Sequence, residues 1–225
     1  DRGLARDIQL GLLPPSPPWN GDTMEVYARS IPAYDVGGDF YTFLTLSEGR
    51  AAIAIGDISG KGVAAALIMA LTAAAVESQG RQFEHPARVL TALNQLLAPR
   101  LKANHMNAAL LYAVFDPHAH TLRIANAGMI APMLISQRGY RMLEIGGLPI
   151  GAFAGASYQE ETVTLESGDA MVLVSDGVVE AHDPGGRLFG FEAFEAAFDG
   201  VRSTADVRSI AELILNRVHE HMAGA

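Results

Sequence analysis

The sequence predicts an α+β protein, and three observations carry that prediction. From Glu25 to Ser175, strand-length runs rich in Val, Ile, Leu, Tyr and Phe are separated by Gly, Pro, Asn and Asp. Two helical segments, 61–79 and 86–98, interrupt those runs, and two more, 191–198 and 204–221, close the chain. No internal repeat or low-complexity linker breaks the pattern. Strands, a helical pair, more strands and terminal helices describe a layered domain, not alternating β-α units.

Each element has its own warrant. In "DRGLARDIQLGLL", residues 1–13, Leu4, Ile8 and Leu12 recur at four-residue steps and make one stripe on a helix. "PPSPPW" ends it, because proline cannot continue a helix. This segment fits a short surface helix or the end of a linker helix from an upstream domain. The chain opens on Asp1, not Met, which reads as a piece of a longer protein. Strands are predicted at 24–31, 37–46, 51–57, 108–115, 120–126, 130–136, 158–165 and 169–175. Pro86 suits a first helical turn, and Val89, Leu90, Leu93, Leu96 and Leu97 form an apolar face behind it. The 61–79 helix is apolar nearly all round and calls for cover on more than one side.

Composition excludes several functions. Hydrophobic residues make up 49% of 225, enough for a real core. With 25 acidic against 16 basic residues the net charge is −9, which argues against a general nucleic-acid binder, since that needs a basic face to replace phosphate counterions. There is no cysteine, which removes disulfides, thiolate catalysis and Cys-ligated zinc, and fits a cytoplasmic protein. "GVAAALIMALTAAAV", 62–76, falls short of the ~20 strongly apolar residues of a membrane span, so no membrane insertion is expected of it. No signal peptide is visible.

The chemistry sits in "VGGDFYTFLTLSEGRAAIAIGDISGKG", 36–62. A three-residue hairpin loop at Ser47-Glu48-Gly49 pairs Leu46 with Arg50. Phe43 then faces Ile53, Tyr41 faces Ile55, and Asp39 faces Asp57. A two-residue turn would throw the acids onto opposite faces. Like charges directly opposed destabilise a sheet, and a bound cation would resolve the conflict, with oxygen donors suiting Mg²⁺ or Mn²⁺. Either acid alone also fits a solvated Gly-Asp turn. A third apolar run, Met171 to Val174, ends the same way in Ser175-Asp176-Gly177. Three strands ending in Asp beside Gly look like a site built on sheet ends. Asp183 in "HDPGG" reads as a turn former.

Other motifs are weaker. "GDISGKG" fails the Walker pattern, because three residues, not four, separate Gly56 from Gly60, and Gly62 stands where Ser or Thr is needed. Its glycines suit a sharp bend that brings the Ile58 carbonyl toward a metal. Ser59 is a candidate helix cap, and Lys61 a solvated side chain. The histidines do not cluster, and "HAH", 118–120, lies in a turn. No HExxH or G-x-S-x-G motif is present.

Taken together, "IQLGLLP", "VGGDFY", "GDISGKGVAAAL", "NAGMIAPML", "GGLPIG" and "LVSDGVVEA…GRLFG" resemble the metal-dependent PPM-type serine/threonine protein phosphatases. The branch is the bacterial one of sporulation stage II protein E and RsbU, and the resemblance covers roughly residues 5–200. It implies a four-layer α-β-β-α sandwich, with two antiparallel sheets flanked by helices, over 14–225. It implies two Mn²⁺ or Mg²⁺ ions held by Asp39, Asp57, the Ile58 backbone carbonyl and Asp176, with Asp57 bridging. The implied reaction is attack of a metal-bound hydroxide on phosphoserine or phosphothreonine, with those aspartates acting through the metal-bound water. The implied substrate is a phosphorylated anti-sigma-factor antagonist of STAS type. An upstream sensor or receiver domain, and a homodimer through the N-terminal helix, are the other implied partners. Two departures stand out. Met129 occupies a position where relatives commonly carry His. The usual final strand with Asp-Asp-x-Thr does not occur before Ala225, and neither Asp199 nor Asp206 replaces it, so the second ion is expected to be held weakly. A phosphatase-like module that acts by protein contact, and a small-molecule phosphohydrolase, are the alternatives.

Overall fold

The computed structural model describes residues 2–19, 21–31, 37–203 and 205–224, with side chains from residue 7 onward. The side chain of Leu4 and all of Val36 lie outside the described residues. In chain order the elements are α1 (Arg2–Leu12), β1 (Phe40–Thr45), β2 (Ala51–Ile58), α2 (Val63–Gln82), α3 (Pro86–Ala103), β3 (Ala108–Asp116), β4 (Thr121–Ala127), β5 (Met133–Ser136), β6 (Gly139–Met142), β7 (Glu160–Thr164), β8 (Ala170–Val172), α4 (Asp176–Val179), α5 (Gly190–Ala196) and α6 (Val207–Ala223). They fall into two compact units, each with one antiparallel sheet and helices.

The first unit holds the sheet β1-β2-β3-β4-β7 with α1, α2 and α3. Alternate residues share a face of a strand, and one face of this sheet packs into a core with α2 and α3. Phe40, Leu44, Ala52, Ala54, Ile58, Leu110, Tyr112 and Val114 meet Met69, Val76, Leu90, Leu93 and Leu97 there. The alanines of β2 keep that face flat and let the helices approach. The other face carries Ile53, Ile55, Leu111, Ala113 and Ile124, so the sheet is apolar on both sides.

α2 runs 20 residues and, by length and composition alone, could cross a membrane. The helix extends past the 62–76 stretch. Its Ala65, Met69, Thr72, Ala75 and Val76 are buried, as in a core helix. Cover on several sides is not what the structure shows: Val63, Leu67 and Leu71 are 55%, 67% and 41% exposed.

The second unit holds the sheet β6-β5-β8 with α4, α5 and α6. Met133 and Ile135 pack with Phe189, Phe194, Phe198, Ile210, Ile214 and Val218. Asp206 caps α6 by accepting from the Ser209 N–H at 2.9 Å.

Four expectations need correction. Residues 24–31 form no strand, because no neighbouring strand takes up their hydrogen bonds among the described residues. α3 continues through Pro99 to Ala103; the proline removes one helical hydrogen bond, while burial of Leu97, Ala98 and Leu101 holds the last turn. β8 stops at Val172, short of 175. β6 was not predicted, since "GYRM" is exposed and lacks apolar alternation, and only its pairing with β5 makes it a strand.

Two buried polar side chains in this core should behave oppositely. Asn94 is fully buried; its Nδ2 donates to the carbonyls of Phe153 and Ala154 at 2.9 and 3.1 Å, and its Oδ1 accepts from the Gly151 N–H at 2.9 Å. The Tyr112 hydroxyl is buried with no hydrogen-bond partner among the described residues, and burial pushes its pKa up. Asn94→Ala should cost about 2–4 kcal/mol, and Tyr112→Phe should be neutral or stabilise by up to about 1 kcal/mol, both read from urea unfolding.

Glu160 ties β7 to the start of α3. It pairs with His85 at 2.7 Å and accepts from the Ala87 N–H at 3.0 Å. Burial alone would raise the Glu160 carboxyl, but the His85 and Ala87 hydrogen bonds outweigh it and hold the group below its ordinary 4.5. A depressed carboxylate contributes stability above its unfolded pKa and loses it as pH falls through the folded one. Wild-type stability should therefore drop as pH falls below about 4.5, and Glu160→Gln should flatten that part of the curve in thermal unfolding followed against pH.

Candidate metal centre

The β1–β2 hairpin has the register that a three-residue loop dictates. Leu46 N–H donates to the Arg50 carbonyl at 2.8 Å, and the loop Ser47–Gly49 places Glu48 and Gly49 at φ 58° and 71°. Phe43 pairs with Ile53, Tyr41 with Ile55, and Phe40 with Gly56. One further bond, from the Ile58 N–H to the Gly38 carbonyl at 3.3 Å, carries the pairing past the end of β1. Asp39 and Asp57 thus stand opposite each other. The bonds at both ends fall on even-numbered residues, so the two acids form a non-hydrogen-bonded pair. Side chains are closest at such positions, with Cα atoms about 4.5 Å apart.

Each aspartate follows a glycine that the packing requires. A Cβ on Gly38 would lie 2.3 Å from the Ile58 carbonyl oxygen, and one on Gly56 would lie 2.4 Å from the Phe40 ring. Both backbones approach more closely than any side chain would allow. The Gly38 gap therefore lets the Ile58 carbonyl close against the backbone one residue before Asp39. Asp39 and Asp57 are half-buried, and both are engaged by other groups, as is the exposed Lys61.

Ser59 does not cap α2. Gly62 takes that place with φ 76°. The Ser59 Oγ accepts from the Asn107 N–H at 2.8 Å, and its own N–H donates to the Asn107 carbonyl at 2.9 Å. Ser59 sits too many residues before Val63 to cap it, and instead it extends the β2–β3 ladder and holds the loop after Ile58.

Asp176 belongs to the second unit, where it opens α4 and is exposed. Asp183 is the turn former its motif suggests: its Oδ1 accepts from the N–H groups of Gly185 and Arg187, both at 2.9 Å. Asp199 accepts from the Tyr140 hydroxyl at 2.9 Å. Asp116 closes the His118–His120 turn through the N–H groups of His118 and Ala119. Met129 is buried, and the Asn126 side chain brackets its backbone N–H and carbonyl at 2.8 and 2.9 Å. Among the described residues no three His, Asp or Glu side chains gather in a group that could hold a metal.

The first unit therefore offers two facing carboxylates and one carbonyl. These are hard oxygen donors, and they fit Mg²⁺ or Mn²⁺ in type. Sequence reasoning missed the support for this pair: Gly38 and Gly56 as gaps, and Ser59 as an anchor. Gly38→Ala should destabilise by about 1–3 kcal/mol through overpacking, measured by chemical unfolding. A wild-type midpoint for Gly38→Ala would contradict the close approach.

Comparison with known proteins bears on this arrangement. The family model of Stage II sporulation protein E (SpoIIE) matches residues 47–225, a span that takes in Asp57 and Asp176. Phosphoserine phosphatase RsbU of Bacillus subtilis (strain 168) is 33% identical over 187 residues, 82% of this chain and 55% of RsbU. Phosphoserine phosphatase RsbP of the same organism is 25% identical over 182 residues, 79% of this chain and 44% of RsbP. The chain thus spans about half the length of these two relatives. Among solved structures, the SiaA-PP2C domain of Pseudomonas aeruginosa matches with a TM-score of 0.80 at 21% identity, over 99% of this chain and 89% of that one. The fold is that of a PP2C domain, with two antiparallel sheets flanked by helices, and the chain belongs to the SpoIIE family of PPM-type phosphatases.

Proposed function

We propose that this chain is a phosphatase-fold signalling module that holds divalent cations weakly and acts mainly through contact with a protein partner. The observation that carries this reading is the donor set: two aspartates set opposite by the hairpin register, with no group of three acidic or histidine side chains among the described residues. Asp39, Asp57 and the Ile58 carbonyl would hold a Mn²⁺ or Mg²⁺ ion, and Asp176 joins them on its motif alone. Bound divalent ions supply Lewis acidity, which makes water more acidic and neutralises phosphoryl charge. The chain's own contribution is positional. The register fixes the spacing of the two carboxylates, Gly38 admits the Ile58 carbonyl, and Ser59 holds the loop that follows.

The partner in this reading is a STAS-type anti-sigma-factor antagonist, an inference supported by the likeness to RsbU and RsbP. The N-terminal helix is read as the end of a linker from an upstream sensor or receiver domain. A homodimer through that helix is consistent with Ile8 and Leu12 being 58% and 50% exposed. The setting in this reading is cytoplasmic.

A second reading, a working Mn²⁺- or Mg²⁺-dependent phosphoserine/phosphothreonine phosphatase, is favoured by the retained Asp39–Asp57 pairing. One assay separates the two. Phosphate release from a phosphorylated STAS-type protein is measured against Mn²⁺ concentration for the wild type and Asp57→Asn, together with binding of that protein. The module reading expects binding to persist while release stays near the Asp57→Asn background. Mn²⁺-stimulated release at least tenfold above that background would overturn it and establish the second reading.

A further inference from the structure

Two large apolar side chains of the first unit stand in water on one short segment. Leu148 is 55% exposed and Phe153 62%, and residues 145–159 around them carry no charge. A single exposed apolar residue is ordinary, whereas a pair on an uncharged segment marks a contact surface.

The backbone beneath the pair is fixed. The buried Asn94 holds the Gly151 N–H and the carbonyls of Phe153 and Ala154, and the Ala156 N–H also donates to the Phe153 carbonyl at 3.0 Å. Pro149 packs so closely on Gly128 that a Cβ there would lie 2.7 Å from its ring, and a Cβ on Gly151 would lie 2.9 Å from the Leu101 side chain. A segment held in this way has little ordering entropy left to lose on binding.

Its place in the sheet brings it near the aspartate pair. Ala108 pairs with Ile58 on one side and exchanges two backbone hydrogen bonds with Ile150 on the other, at 2.8 and 2.9 Å. Ile150 is therefore two strand spacings, about 10 Å, from the end of β2 that carries Asp57. The surrounding charge is of one sign. Arg100 and Lys102 flank Leu101 on α3, both are exposed, and neither makes an ion pair among the described residues. Residues 85–115 contain no Asp or Glu, in a chain whose net charge is −9.

We propose that Leu148 and Phe153, bordered by Arg100 and Lys102, are the surface on which the protein partner docks beside the Asp39–Asp57 end of the sheet. The occupant is a folded protein that presents an apolar patch with an acidic border. The proposal rests on the reading of this chain as a module that contacts a protein partner. The apolar pair supplies affinity, and the two cations steer the encounter and reject basic surfaces.

The test is binding of the phosphorylated STAS-type protein by titration calorimetry, at low and high salt, to the wild type, Leu148→Ala, Phe153→Ala and Lys102→Glu, with the Tm of each. Leu148→Ala and Phe153→Ala should each raise the Kd by about tenfold or more with little change in Tm, because both side chains are exposed. Lys102→Glu should raise it at low salt and lose much of that difference at high salt. Three variants that all bind like the wild type would overturn this surface and leave the partner reading standing. A wild type that does not bind the STAS-type protein would overturn the partner reading and this proposal with it. If Phe153→Ala lowers the Tm, Leu148→Ala decides by the same criterion.

Discussion

The site depends on one constraint, the register of the β1–β2 hairpin. A three-residue loop with two left-handed positions, Glu48 and Gly49, sets Leu46 against Arg50. Every later pair follows from it, down to two carboxylates facing each other at the end of an apolar ladder. A slip of one residue would move Asp57 to the helix-covered face and turn Ala52, Ala54 and Ile58 out of the core. Core packing and site geometry therefore enforce the same pairing. The glycines before each aspartate add a second lock, since Phe40 fills the space at Gly56 and the Ile58 carbonyl fills the space at Gly38.

Much of this was legible in the sequence. Loop length and alternation are local properties, so the hairpin and the facing of Asp39 with Asp57 could be read before any coordinates. The helices at 61–79 and 86–98 were legible from their apolar content. What could not be read depends on partners distant in sequence. "GYRM" becomes β6 only because β5 lies beside it. Residues 24–31 alternate like a strand but lack a strand neighbour among the described residues. Pro99 looks like a stop, yet the buried Leu101 carries α3 past it. Gln9 was overshadowed by a stripe of Leu4, Ile8 and Leu12, and nothing local says that it meets Gly37, 28 residues away.

The functional reading inherits that division. The opposition of Asp39 and Asp57 follows from the hairpin register and the Ile58–Gly38 hydrogen bond, while Asp176 stands on its Ser-Asp-Gly motif. Family membership connects the motifs to phosphatase chemistry. In the proposed reading, a bound cation would relieve the opposition of two carboxylates in the first unit. In that reading a pair alone would bind less tightly than a full ligand cage.

The most direct measurement is a Mn²⁺ titration of ¹⁵N-labelled protein followed by amide line broadening, which reports distance from the paramagnetic ion. The hairpin account predicts that the signals of Gly38, Asp39, Asp57 and Ile58 broaden first and together. Early broadening centred on another acidic surface, with those four signals left sharp, would contradict it.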